Sequence, residues 1–169
     1  MQEKLVSESA LGTLHKVKLK FPKKFADYIR SRIDTQLELP AESLIEELIK
    51  FLILQSNIQN LQINIGKALD EVWHALLLET KIYSEMCNFI MPGFFVHHSS
   101  SFFSEHPGLD PKKDLKAEAL EVALNYKNMF LEITEDSCIC FPQIEILSQR
   151  WASGLNDLNL RLKLILESR

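Results

Sequence analysis

Leu69-Asp-Glu-Val-Trp-His-Ala-Leu-Leu-Leu-Glu-Thr-Lys-Ile-Tyr83 is the stretch on which the fold turns. Leu69, Trp73, Leu76, Leu77, Thr80 and Tyr83, continued by Cys87 and Ile90, recur three and four residues apart. That spacing lays side chains along one stripe of an α-helix. The helix so predicted runs from about Lys67 to Ile90, and Pro92-Gly93 stops it. The same period recurs outward from there. Upstream, a helix starting near Pro40 points Leu44, Ile45, Leu48, Ile49 and Leu52 inward and keeps Glu42, Glu46 and Glu47 as an exposed acidic side. Before it, Pro22 opens a short helix with Phe25, Tyr28, Ile29 and Ile33 on its apolar face. Downstream, Phe94-Phe-Val-His-His98 is a return segment, and 99–110 is a loop bearing Ser, Pro and Gly. Asp110-Pro111 supplies an N-cap and a first helical residue. The helix it begins buries Leu115, Ala119, Val122, Ala123, Tyr126, Phe130 and Ile133, and a shorter one from Pro142 to near Gly154 turns Ile144, Leu147 and Trp151 inward.

The two terminal segments depart from that period. His15-Lys-Val-Lys-Leu-Lys-Phe21 alternates strictly, with Val17, Leu19 and Phe21 on one face and lysines on the other, as in a half-buried strand. Leu158, Leu160, Leu162, Leu164 and Leu166 alternate likewise. A helix would leave Leu160 and Leu164 on the wrong face, so a strand is preferred. A lone strand is unstable, and the only partner of like pattern is the other terminus. The expected fold is therefore mostly α: one compact domain over 1–169, a bundle of about five helices with 15–21 and 158–166 paired as a terminal ribbon.

Composition agrees with a globular chain. The 169 residues are 46% hydrophobic and 25% charged, with five Gly and six Pro, which excludes low-complexity and collagen-like classes. No apolar run approaches the ~20 residues that cross a bilayer. No basic start followed by an apolar stretch and a small-residue cleavage site occurs, and three cysteines suit a reducing compartment, so the expected location is cytoplasmic. Charge is uneven. Residues 1–32 hold eight basic against three acidic residues, a balance of +5 that leaves −9 for the rest of a chain whose net charge is −4. On the expected ribbon, Lys16, Lys18, Lys20, Arg161 and Lys163 would all face outward. They are either solvated or a face for a polyanion, whether nucleic acid or an anionic lipid surface.

Chemistry concentrates around Asp70, His74, His97 and His98. Asp70 and His74 stand one helical turn apart at the border of the apolar stripe, half buried, and the return after Pro92-Gly93 brings His97 or His98 back towards them. Imidazoles with a carboxylate form the ligand set of zinc or ferrous iron. The alternative is a hydrogen-bonded clasp in which Asp70 orients His74 against the return segment. Cys138-Ile-Cys140 is too short for a zinc knuckle, and no phosphate loop or nucleophile elbow occurs.

The joint string from Leu69 to Tyr83, then Cys87, then Gly93-Phe-Phe-Val-His-His98, resembles the bacterial and plant family called glycine-rich domain-containing protein-like. Lys50-Phe51-Leu52 is similar to that family's Arg-Phe-Leu helix. Where many relatives carry a second His two residues after the first, this chain has Leu76, and the glycine-rich tail is absent. The resemblance implies a helical module with a pocket at Asp70, His74 and His97/His98. A second similarity, of Val17-Lys-Leu-Lys-Phe-Pro22 and Ala41-Glu-Ser-Leu-Ile-Glu-Glu-Leu48, is to a ribbon–helix–helix DNA-binding unit. Its Gly turn between the helices is missing.

Three functions follow. The leading one is a non-enzymatic interaction or accessory module, partnered by another protein, with a Trp-His/His-His clasp that holds itself or a divalent metal. The others are a metal-dependent enzyme using the His/Asp cluster and a polyanion binder using the basic ribbon. Ligands are present but no general base is evident, so the module leads.

Overall fold

The structure, a computed structural model, describes residues 2–20, 23–32, 39–58, 61–97 and 115–169. Among them are nine helices and no strand: α1 Gln2–Lys20, α2 Lys23–Arg32, α3 Ala41–Asn57, α4 Lys67–Leu78, α5 Thr80–Ile90, α6 Leu115–Phe130, α7 Glu135–Cys140, α8 Pro142–Arg150 and α9 Leu155–Glu167. The mostly α class is as expected, and the helix count exceeds five. Among the described residues no helix is long and apolar enough to cross a membrane.

α3 is the centre. From Leu44 to Leu54 all but Glu46 are buried, because α3 is touched by α1, α2, α4, α5, α6 and α7. Surrounded helices read as apolar on most sides, which is how α3 reads after Glu47. All five residues expected to point inward from this helix do so, but Glu47, assigned to its exposed acidic side, is 2% exposed. The predicted helix around Tyr126 likewise buries Ala119, Val122, Ala123, Tyr126, Phe130 and the following Ile133. The Asp110-Pro111 start, the 99–110 loop, Pro22 and Ile33 lie outside the described residues.

The terminal ribbon is not formed. Residues 15–20 belong to α1 and 158–166 to α9, and Phe21 lies outside the described residues. Helical spacing governs both. Among the described side chains of α1 the buried ones are Ala10, Leu14 and Val17, while Leu19 stands 74% exposed. In α9 Leu158 and Leu162 are buried, one turn apart, and Leu160 and Leu164 are left outside at 55% and 57%. Exposed leucines are an ordinary feature of protein surfaces, so the apolar residues on the wrong face were no bar to a helix. α1 lies on α3, α5 and α6, whereas α9 lies on α6 and α8, so the termini do not form one paired element. The ribbon–helix–helix similarity loses its strand by the same finding.

The helix expected over Lys67 to Ile90 is broken at Glu79, whose φ of −91° and ψ of 60° separate α4 from α5. Thr80, placed on the stripe by its spacing, is exposed as a result. α7 was not foreseen. Thr134 caps it: the Thr134 hydroxyl accepts from Ser137 N–H, and the Ser137 hydroxyl accepts from Thr134 N–H in return.

Two side chains fasten extended segments to this frame. Gln143 accepts from Asn64 N–H at 2.8 Å and donates to the Gln62 carbonyl at 2.9 Å. Asn159 does the same for Ile133, accepting from its N–H at 2.9 Å and donating to its carbonyl at 2.8 Å. Gly66 leads into α4, donating to the Cys140 carbonyl at 2.8 Å. A Cβ there would meet the Ile139 carbonyl oxygen at 2.6 Å, so this close approach requires glycine.

Candidate functional site

The Asp70–His74 pair forms, but not where the sequence put it. His74 Nδ1 donates to the Asp70 carbonyl at 2.8 Å and lies 3.4 Å from Asp70 Oδ2. A carbonyl can only accept, so the neutral ring carries its proton on Nδ1 and its lone pair on Nε2. The pair is open to solvent, the His74 side chain 51% exposed and Asp70 37%. α4 explains this. Its buried residues are Leu69, Val72, Trp73 and Leu76, and at about 100° per residue His74 points roughly 150° away from the middle of that arc. Leu77, the member of the expected stripe nearest to His74, is itself only partly buried, and His74 lies about 60° beyond it.

The return segment is fastened by a different residue. Tyr83, buried on α5, donates its hydroxyl to the Val96 carbonyl at 2.6 Å. Its ring meets Phe95 edge-on at 5.0 Å between centroids, and Phe95 is followed by the His97 ring at 4.8 Å. The turn itself is set by Gly93, at φ 77°, whose N–H donates to Asn88 Oδ1 at 3.1 Å. Burial, with Cys87 next to it, pushes the Tyr83 phenol well above its ordinary value, and burial raises the Cys87 thiol too. Both stay protonated at neutral pH. Trp73 closes the inner side, buried with its ring edge-on to Phe51 at 5.1 Å. His97 is exposed, and His98 lies outside the described residues. Among the described residues no three His, Cys, Asp or Glu side chains gather as metal ligands, so Asp70, His74 and His97 do not form such a group.

The basic residues disperse over two helices. Lys18 pairs with Glu46 on α3, and Lys20 stands 4.0 Å from the Phe89 ring centroid. Lys16 is exposed. Arg161 pairs with Asp157 at 3.0 Å and lies over Trp151, while Lys163 is 3.7 Å from Glu167. The ribbon face built on opposed strands, on which these five residues were expected to stand together, is not formed.

A buried ionic network went unforeseen. Glu47 and Lys50 on α3 meet Tyr126 on α6: Lys50 Nζ donates to Glu47 Oε1 at 2.7 Å and to the Tyr126 hydroxyl at 3.3 Å, and that hydroxyl donates to Glu47 Oε2 at 2.8 Å. Lys50 also reaches Glu46 Oε1 at 3.2 Å. Burial pushes the Glu47 carboxyl up against the pull of Lys50. It would lower the Lys50 ammonium, but Glu47 and Glu46 together hold that group above its usual range. Burial keeps the Tyr126 phenol neutral. Glu47 and Lys50 of this network line a cleft of about 490 Å³ together with Lys18, Lys23, Glu42, Glu46, Thr134 and Asp136, among others. The sequence did carry a signal: Glu47 stands three after Leu44 and four before Phe51, on the buried side of α3. No family model, no curated protein and no solved structure matches this chain.

Proposed function

We propose that the protein is a helical interaction module that serves another protein, with the α5 turn and return segment as its contact element. What supports this is the Tyr83–Val96 hydrogen bond, which fixes an extended segment against the bundle while Phe95 remains 44% exposed and Met91 36% exposed. Exposed aromatic and Met side chains held on rigid backbone are the usual anchors of protein recognition. The Glu47–Lys50–Tyr126 network does not compete as a reaction centre, since each ionised group in it is bonded to another side chain of the chain itself. A photo-crosslinking residue in place of Phe95 is expected to give one discrete protein adduct in an extract of the source cells. The purified pair should then associate, and Tyr83→Phe should weaken that association. Adducts no different from those of the same probe at Ile146, or association indifferent to Phe95→Ser, would overturn the proposal.

A second reading, in which the element holds a divalent ion, has one observation in its favour. The Asp70 carbonyl fixes the His74 proton on Nδ1, leaving on Nε2 the lone pair that binds zinc or iron. Zinc and ferrous-iron titration of untagged protein tests it. Stoichiometric uptake lost in both His74→Ala and His98→Ala supports the ion, and no uptake removes it.

A further inference from the structure

We draw no further inference here: the strongest candidate, the cleft of about 490 Å³ between α1, α2, α3 and α7 lined by Glu47 and Lys50, has these two charged groups bonded to each other, and nothing in the structure shows what covers or fills it.

Discussion

Replacing Lys50 by Met should cost about 3–5 kcal/mol, because it strands a nearly buried carboxylate without its counter-charge. The Glu47 side chain is 3% exposed, and its oxygens are held by Lys50 and Tyr126. With the ammonium gone, one oxygen keeps the Tyr126 hydroxyl and the other loses its partner. A domain of ordinary stability, roughly 5–15 kcal/mol, would survive that loss but with a lowered urea midpoint. The triple variant Glu47→Leu, Lys50→Met, Tyr126→Phe removes the charges and also the hydroxyl they satisfied. It is expected to lie within about 1–2 kcal/mol of wild type, since a buried ion pair contributes little beyond its own desolvation. Urea unfolding at constant slope measures each variant. The pH dependence supplies an independent check. Burial already raises the Glu47 carboxyl, and without Lys50 nothing of opposite charge opposes that rise. A carboxyl whose folded value lies above its unfolded one binds its proton more tightly when folded. The Lys50→Met penalty should therefore shrink as pH falls from 7 towards 4, by at most ~1.4 kcal/mol per pH unit. A single variant within ~0.5 kcal/mol of wild type, or a triple variant as damaged as the single, refutes the account.

Three further outcomes are expected. Asn159→Ala removes the amide that holds both backbone groups of Ile133 and receives Lys127 Nζ at 2.9 Å, so it should cost about 1–3 kcal/mol by chemical denaturation; a neutral result would mean that water replaces it. Tyr83→Phe should cost about 1–2 kcal/mol and speed hydrogen exchange of the residues after Gly93, whereas His74→Ala, an exposed ring on its own helix, should stay within ~0.5 kcal/mol; reversal of that order sinks the assignment of the fastening residue. Stability should fall steadily above about pH 8.5, where unfolded thiols and then, near 10, unfolded phenols lose protons that buried Cys87, Cys140, Tyr83 and Tyr126 and half-buried Cys138 keep. Lys50, held above its ordinary value, adds to the loss above ~10.4, and a urea midpoint flat from pH 8 to 11 contradicts all of these shifts together.

The sequence was legible where burial is one-sided. α4, α6 and α8 each turn one face inward, so three-and-four spacing found Trp73, Tyr126 and Leu147 without help. It failed at the termini for a definite reason. In α9, five leucines sit at every second position from 158 to 166. Alternate positions in a helix advance by about 200°, so the run divides into Leu158, Leu162 and Leu166 on one side and Leu160 and Leu164 on the other, and the alternation masks the helical stripe that Leu155 and Ile165 complete. Local pattern then favours a strand, while the bundle buries Leu158 and Leu162, packs Leu155, Ile165 and Leu166 beside them, and leaves Leu160 and Leu164 to water. The choice was made by α6 and α8, which receive that face, and those contacts are not local in sequence.

The candidate site divides along the same line. Tyr83 belonged to the stripe and was assigned to the core by its spacing, which is correct for its ring and silent about its hydroxyl. The hydroxyl needs an acceptor because the ring is buried, and the acceptor it finds is a backbone carbonyl thirteen residues on, supplied by the turn at Gly93. His74 had the more conspicuous chemistry, but an exposed histidine one turn above an aspartate is satisfied locally, by a carbonyl of its own helix. The cost of leaving a polar group unbonded is large only in the interior. Burial therefore decides which polar side chain ties distant parts of the chain together, and Tyr83 and Glu47, both read from the sequence without a partner, are the ones the interior compels to find one.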